Sequence, residues 1–300
     1  MLPSALRLGP VELTVSDLAR SVAWWEHAIG VRSVPHGEEG SADGARAHLV
    51  ARGAPDGAEP LVTLVELPGA RPADGHSGLF HVALLVPDRP SLARWLAHAA
   101  RERVPLSGMS DHFVSEAIYL RDPDHHGIEV YADRPRAHWE GQVERMGTVR
   151  LDTASLLAEL PDPATEPFAG LPAGTTVGHV HLRVASIPDT VAWYRDVVGF
   201  DLMMAFGSQA AFLAVGGYHH HLGTNTWESA GRGQAPAGTA ALRHATIVLP
   251  SPADVAAVAA RVAAAGGQQP EPVAAAGGLP GGTLVRDPSG NPLLLVAERS

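Results

Sequence analysis

The segment LTVSDLARSVAWWEHAIGV, residues 13–31, recurs without a gap as LRVASIPDTVAWYRDVVGF, residues 182–200. Each copy predicts a strand followed by a helix. In the first copy Ser16 is a candidate helix cap, and apolar residues at helical spacing continue to Gly30, a residue typical of helix ends. A repeat of this length predicts a fold assembled from similar units.

Two weaker matches extend the repeat. HVALLVPD (81–88) resembles HATIVLPS (244–251), and YLRDPDHHGIEVY (119–131) parallels LVRDPSGNPLLLV (284–296). The Arg-Asp-Pro turn before an apolar run predicts a hairpin that enters a final strand. We therefore expect four similar units, each with a strand, a helix and then strands, at residues 6–70, 76–133, 175–230 and 240–298. Along the chain these form a first pair (6–133), a connector (134–174) with a Pro-rich linker, and a second pair (175–298).

The composition excludes several classes of protein. The chain has 300 residues, 45% of them apolar, and a net charge of −10 with no cluster of Lys and Arg, which argues against a nucleic-acid-binding protein. No apolar stretch approaches the length of a membrane span, and the first residues lack a secretory signal pattern, so we expect a cytoplasmic protein. The chain has 16 histidines and no cysteine, so any metal must be held by histidine, carboxylate or main-chain oxygen.

Four such units in one chain resemble the vicinal oxygen chelate superfamily, which includes glyoxalase I, antibiotic-sequestering proteins and type I extradiol dioxygenases. Two segments resemble two-domain catechol 2,3-dioxygenases more specifically: GGYHHHLGTNTW (216–227) and DHFVSEAIYLRDPDHHGIEVYADRP (111–135). The resemblance implies an α+β fold of the glyoxalase/dioxygenase type. In that fold, four βαβββ modules pair into two half-open barrels.

In the superfamily, metal ligands lie on the first and last strands of the units. The matching first-strand residues here are Pro10, His81, His179 and His244, and the matching last-strand residues are Glu129 and Leu294. Pairing the second unit with the third brings together His81, Glu129 and His179, the two-histidine, one-carboxylate set of non-haem iron oxygenases. The first and fourth units would then form a barrel without metal. Because pairing is a tertiary property, the pairings within each half of the chain stay open.

The resemblance also implies three residues that handle protons or bind substrate. His220, in HHHLG, matches the acid–base histidine of the family, and His112, in DHFVS, matches a histidine that hydrogen-bonds the substrate or oxygen. Tyr119 precedes Glu129 by ten residues, the spacing of the family's active-site tyrosine. By strand alternation, we expect the two neighbours of His220 to face away from it. The turn residues His125 and His126 are expected at the surface.

The function implied is that of a non-haem Fe(II) extradiol dioxygenase, with Mn(II) as an alternative ion. Such an enzyme cleaves catechol or a substituted catechol with O2 to a ring-opened semialdehyde, and we expect a homo-oligomer. Two alternatives use the same scaffold. One is a metal-dependent isomerase of the glyoxalase or epimerase kind, in which the metal is a Lewis acid, and the other is a metal-free protein that binds small molecules. The fold alone does not separate them, because it hosts many chemistries.

Overall fold

The computed structural model describes residues 1–34, 44–275 and 280–299. Each of the four units opens with a long strand, continues with a helix and ends in further strands. The first unit and the strand after it comprise β1 (Arg7–Val15), α1 (Leu18–Trp24), β2 (Val31–Val34), β3 (Arg46–Ala51), β4 (Val62–Glu66) and β5 (Arg71–Pro72). The second unit comprises β6 (Gly78–Leu85), α2 (Arg89–Arg101), β7 (Leu106–Asp111), β8 (Ser115–Arg121) and β9 (Gly127–Asp133).

The connector contains 3₁₀ turns, a short strand and a short helix: Arg136–His138, Val143–Arg145, β10 (Val149–Arg150) and α3 (Thr153–Leu157). The third unit comprises β11 (Thr176–Arg183), α4 (Ile187–Ala192), β12 (Asp201–Phe206), β13 (Ala210–Ala214) and β14 (Leu222–Asn225). The fourth unit and the strand before it comprise β15 (Thr239–Ala240), β16 (Leu242–Leu249), α5 (Pro252–Ala265), β17 (Glu271–Val273), β18 (Gly282–Arg286) and β19 (Pro292–Ala297).

The long strands form two sheets, each made from two units. The nine-stranded sheet has the order β10-β7-β8-β9-β6-β11-β14-β13-β12, so it joins the second unit to the third. The eight-stranded sheet has the order β17-β18-β19-β16-β1-β4-β3-β2, so it joins the fourth unit to the first. At the centre of each sheet, two first strands pair antiparallel, and each pairs parallel with the last strand of its own unit. The molecule is thus an α+β fold with two curled half-barrel sheets.

The two copies of the sequence repeat fold alike at the ends of their helices. Each helix widens into a π turn in its last residues, at Trp25–Ile29 and at Trp193–Val198. Each then stops at a glycine in the left-handed region, with φ of 86° at Gly30 and 105° at Gly199. A side chain is disfavoured in that conformation, which explains why both copies have glycine there.

The Arg-Asp-Pro turn of the second unit packs against the first unit, which changes two of the expectations. The cap of α1 is Asp17 and not Ser16, because the hydroxyl of Ser16 instead donates to Asp124 at 2.6 Å. His126 is buried and not at the surface, with its Nε2 atom 2.8 Å from the carbonyl oxygen of Thr14. Neither contact can be predicted from local spacing, because each joins residues more than a hundred positions apart.

Alternating side chains give the nine-stranded sheet an apolar outer face and a polar inner face. On its central strands, the apolar side chains join the core beneath the helices: Val82, Leu84, Ile128, Val130, Val180 and Leu182. Residues between them point to the concave face, as the period of two in a strand requires. No helix in the described part of the chain is long and apolar enough to cross a membrane.

Candidate metal centre

Three neighbouring strands carry the two histidines and the carboxylate. His81 lies on β6, the strand between β9, which carries Glu129, and β11, which carries His179. Both Glu129 and His179 pair in register with Ala83 of β6. The sheet therefore brings the three side chains to one point on its concave face.

The three candidate ligand atoms form a nearly equilateral triangle. The Oε2 atom of Glu129 lies 2.9 Å from Nε2 of His81 and 3.1 Å from Nε2 of His179. The two Nε2 atoms are 3.3 Å apart, and all three residues are at least 95% buried. Ligand atoms at adjacent corners of an octahedron with bonds of about 2.1 Å are about 3.0 Å apart, so the triangle matches one face of such a site.

Hydrogen bonding alone does not satisfy this triangle. If both Nε2 atoms of His81 and His179 carry hydrogens, the two N–H groups crowd each other near one oxygen. If neither atom carries a hydrogen, the carboxylate of Glu129 faces two lone pairs. A cation at the centre accepts one lone pair from each atom and removes both conflicts. The donor set therefore fits a divalent metal ion.

The charge state of the cluster also suits a cation. Burial raises the pKa of Glu129, but the imidazoles of His179 and His81 outweigh it and hold that pKa well below its usual value of 4.5, so the carboxylate is ionised. Burial lowers the pKa of His179, despite the opposing charge of Glu129, which favours the neutral imidazole that a metal requires. Among the described residues, these three form the one group of His, Cys, Asp or Glu side chains close enough to hold an ion.

The cluster opens into a cavity of about 540 Å³. The six residues that the sequence singled out all line this cavity: His81, His112, Tyr119, Glu129, His179 and His220. Three phenylalanines and one tryptophan also line it, namely Phe80, Phe206, Phe212 and Trp227, and Trp227 is 55% exposed. The volume falls within the usual range for small-molecule sites, and the mixture of aromatic walls and convergent polar groups is typical of them.

His112 and Tyr119 are joined by a short hydrogen bond. The Nε2 atom of His112 lies 2.6 Å from the hydroxyl of Tyr119, and its Nδ1 atom lies 2.6 Å from the carbonyl oxygen of Gly147. Because a carbonyl only accepts, Nδ1 carries a hydrogen. Burial, with the charge of Glu129 nearby, raises the pKa of Tyr119 well above 10, so the phenol keeps its proton. In the neutral form of His112, the phenol donates to Nε2.

The triple histidine lies in an irregular segment between β13 and β14, not in a strand. The expected alternation is therefore wrong, and all three imidazoles are buried. His220 faces the cavity, where its ring centroid is 4.1 Å from that of His179. His219 lies behind it, with its Nδ1 atom 2.8 Å from Nδ1 of His220. On its other side, Nε2 of His219 lies 2.8 Å from an oxygen of Asp133.

Two residues that shape the centre were not assigned roles from the sequence. His181 lines the cavity beside His81, at a ring separation of 4.9 Å, and its Nε2 atom has no hydrogen-bond partner within the described residues. Gly223 pairs with His181 in the way that Glu129 pairs with Ala83, so Gly223 is the third unit's equivalent of the carboxylate. The signal was present in VGHVHLRV, where His181 shares the strand face of His179.

The eight-stranded sheet carries no equivalent cluster among the residues that the structure describes. His244 pairs in register with Glu12 on β1. Glu12, however, accepts a hydrogen bond from Arg243 at 2.7 Å and lies 3.7 Å from Arg46. At the last-strand position, Leu294 is buried in an apolar cluster. In this sheet, arginine side chains therefore neutralise the carboxylate of Glu12. In the nine-stranded sheet, the corresponding neighbours of Glu129 are the imidazoles of His81 and His179.

Comparison with known proteins agrees with this architecture. The family model described as "Glyoxalase/Bleomycin resistance protein/Dioxygenase superfamily" matches residues 7–130 and 176–295. The chain belongs to this superfamily. A catechol-2,3-dioxygenase of Bacillus subtilis (strain 168) is 38% identical to it over 265 residues, 86% of this chain and 88% of the relative.

Two solved structures share the fold at low sequence identity. A candidate dioxygenase from Bacillus subtilis superimposes with a TM-score of 0.66 at 13% identity, covering 98% of this chain and 86% of the other. Glyoxalase I from Zea mays superimposes with a TM-score of 0.60 at 16% identity, covering 98% of this chain and 92% of the other. These likenesses concern the fold alone.

Proposed function

We propose that this superfamily member is a non-haem Fe(II) extradiol dioxygenase, which cleaves catechol or a substituted catechol with O2 to a ring-opened semialdehyde. The observation that carries the proposal is the triangle of His81, Glu129 and His179 at the base of a cavity that also contains His220. The 38% identity to a catechol-2,3-dioxygenase supports it. Mn(II) is the alternative ion for the same ligands.

The ligand set leaves one side of the centre free for substrate. Two histidines and one carboxylate occupy a single face of a coordination sphere and leave the other positions open. Bound Fe(II) would supply chelation of the two catechol oxygens and the electron transfer that activates O2. The chain itself contributes the negative charge of Glu129 and the imidazoles of His81 and His179, held by three adjacent strands.

His220 is placed to act as the general base and later as the general acid. Its ring packs on that of His179 and lines the cavity, so a substrate hydroxyl near the centre comes within its reach. Burial, together with the nearby imidazole of His179, lowers the pKa of His220 well below its usual value of 6.5, so the ring is neutral and can accept a proton as a base. Proton removal leaves the substrate anionic.

Tyr119 and His112 also line the cavity and are placed to orient the substrate. Their mutual hydrogen bond of 2.6 Å fixes both side chains, and Gly147 fixes the tautomer of the imidazole. Either side chain can form a hydrogen bond to an oxygen atom of the substrate in place of the bond between His112 and Tyr119. The aromatic side chains of Phe80 and Phe212 line the cavity, and they limit the access of water to a bound substrate.

The test is direct turnover. The protein is loaded anaerobically with Fe(II), its iron content is measured, and catechol and air are then added. We expect O2 uptake together with a yellow ring-fission product. Iron-loaded protein that turns over none of several catechols would refute the proposal. Glu129→Gln, which replaces the charged ligand with a neutral isostere, is the matched control for metal dependence.

The isomerase alternative is disfavoured by Gly223. Glyoxalase- and epimerase-like relatives resemble one another in using a carboxylate from both units of a barrel. Here the third unit has Gly223 at the place that corresponds to Glu129, and the ring of His181 occupies the adjacent space. A methylglyoxal–glutathione adduct added to the metal-loaded protein provides the test, and we expect no isomerisation.

A further inference from the structure

Behind the cavity, a hydrogen-bond chain leads from His220 through His219 to Asp133. The Nδ1 atoms of His220 and His219 are 2.8 Å apart, and Nε2 of His219 lies 2.8 Å from Oδ1 of Asp133. His219 is fully buried, whereas the side chain of Asp133 is 24% exposed. The chain therefore begins at the wall of the cavity and ends where solvent reaches the protein.

The positions of the hydrogens follow from what each group can do. The carboxylate of Asp133 only accepts, so Nε2 of His219 donates to it. In a neutral His219, Nδ1 then has a lone pair and accepts the hydrogen of Nδ1 of His220. This assigns the Nδ1–H tautomer to His220 and leaves its Nε2 atom with a lone pair. Among the described residues, Nδ1 is the one ring nitrogen of His220 with a hydrogen-bond partner.

The surroundings hold the middle of the chain rigidly. The ring of His219 packs between Tyr218, at a centroid distance of 4.0 Å, and Trp139, at 5.5 Å. The hydroxyl of Tyr218 donates to Oδ2 of Asp133 at 2.9 Å, so both oxygens of that carboxylate are fixed. A change in the tautomer of His220 therefore requires a break in an ordered network.

We propose that Asp133 and His219 are positioning residues, which hold His220 as its Nδ1–H tautomer so that the lone pair of Nε2 faces the cavity. Free histidine favours the opposite tautomer, with the hydrogen on Nε2. A base must present a lone pair, so without this chain the reactive nitrogen of His220 would more often carry a hydrogen and be unable to accept one.

The consequence for catalysis rests on the proposed dioxygenase function. An O–H bond of the catechol breaks, an N–H bond forms at Nε2 of His220, and the catechol becomes an anion. The positive charge then on His220 can be shared through His219 with the carboxylate of Asp133, which lies at the far end of the same chain. No electron is transferred in this step, and the proton returns from Nε2 when the product forms.

The tautomer can be measured without turnover. In the full-length chain, both metal-free and loaded with diamagnetic Zn²⁺, long-range ¹H–¹⁵N NMR spectra distinguish the protonated from the unprotonated ring nitrogen of each histidine. The signals of His220 are assigned by their loss in His220→Gln. We expect a hydrogen on Nδ1 of His220 in the wild-type protein. A hydrogen on Nε2 instead would overturn the proposal.

Two substitutions of His219 sharpen this measurement. His219→Phe keeps a ring of similar size but offers no acceptor, so His220 should shift to the Nε2–H form. His219→Asn places an amide oxygen near the position of Nδ1, so His220 should keep the Nδ1–H form. A folded His219→Phe protein with an unchanged His220 tautomer would also overturn the proposal. His221→Gln, at a buried histidine outside the cavity wall, is the control and should leave the His220 signals unchanged.

Steady-state kinetics provide a second measurement, because a merely structural role of His219 would not lower kcat selectively. With iron content matched to the wild type, His219→Phe should lower kcat about 100-fold, comparable to the loss of general-base assistance, and leave KM within about threefold. His219→Asn should recover part of that loss. If the wild-type protein itself turns over no catechol, the dioxygenase proposal fails while the NMR measurement still decides the role of His219 and Asp133.

Discussion

Gly223 lies at the position in the third unit that Glu129 occupies in the second. The first and last strands run parallel in both units, and the register pairs His181 with Gly223 as it pairs Ala83 with Glu129. A Cβ atom added at Gly223 would lie 2.8 Å from Nδ1 of His181. The imidazole thus takes the space of a second carboxylate, and the metal cluster keeps one open side.

This close approach predicts that Gly223→Ala is destabilising. The added methyl group must displace the buried ring of His181, and overpacking of this kind costs about 1–3 kcal/mol of unfolding free energy. Urea unfolding of both proteins measures the cost. Gly233→Ala is the matched control, because a Cβ atom there meets no atom within 4 Å and the backbone needs no left-handed conformation.

A double substitution checks the cause. If the ring of His181 is what the methyl group meets, the cost of Gly223→Ala should largely disappear in a His181→Ala background, since residues in contact are not additive. An equal cost in both backgrounds would mean that strain in the backbone of β14, and not this contact, makes glycine necessary.

The choice of ligands predicts opposite results for two first-strand histidines. His179→Ala removes a corner of the triangle, and we expect at least about a 100-fold loss of Fe(II) affinity, since even outer partners of ligands contribute 10–100-fold. His244→Ala should leave Fe(II) binding unchanged, because Glu12 beside it is engaged by arginine. Metal titration of the two apo-proteins measures both affinities. The reverse result would place the metal in the eight-stranded sheet.

Much of the fold can be predicted because the sequence contains an internal repeat. The spacing of apolar residues around Gly30 and Gly199 reflects local helix geometry, and both helices end where the glycines stand. Contacts between units cannot be predicted in this way. The burial of His126 and the bond from Ser16 to Asp124 depend on how the second unit packs on the first, which no local pattern encodes.

The candidate site shows the same division. His81, Glu129 and His179 stand at matching positions of similar units, so their sequence context marks them out. The role of Asp133 cannot be predicted from its sequence context. Its contact with His219 joins the end of β9 to a segment of another unit, 86 positions later. The alternation predicted for the triple histidine is wrong because this segment is not a strand. The glycines before it permit an irregular path, with positive φ at Gly216 and Gly217.

The histidine at position 221 predicts a pH dependence of stability. Burial, with smaller contributions from His219 and His179, lowers the pKa of His221 from 6.5 to about 4. The unfolded chain therefore binds a proton that the folded chain does not, so stability is complete above pH 6.5 and falls as the pH drops toward 4. The slope is about 1.4 kcal/mol per pH unit, which amounts to about 2 kcal/mol at pH 5.

The comparison of the wild type with His221→Gln isolates this contribution, because glutamine does not titrate. Urea unfolding at pH 7.5 and at pH 5 gives the two differences in unfolding free energy. The wild type should lose about 2 kcal/mol relative to the variant between those values. A difference that stays constant with pH would show that His221 is protonated to the same extent in the folded and unfolded states.

The role of His220 predicts a loss in kcat that is not a loss of metal or of substrate binding. His220→Gln keeps a polar side chain but cannot carry a proton at neutral pH, so kcat for catechol should fall by about 10²–10⁴. Iron content and KM should change little, because the ligand triangle does not include His220. Steady-state O2 uptake with iron-matched samples measures the loss, and His221→Gln should retain full activity at pH 7.5. A wild-type kcat in an iron-loaded His220→Gln protein would show that another group in the cavity is the acid–base catalyst, and the hydrogen-bonded pair of His112 and Tyr119 would then be tested next.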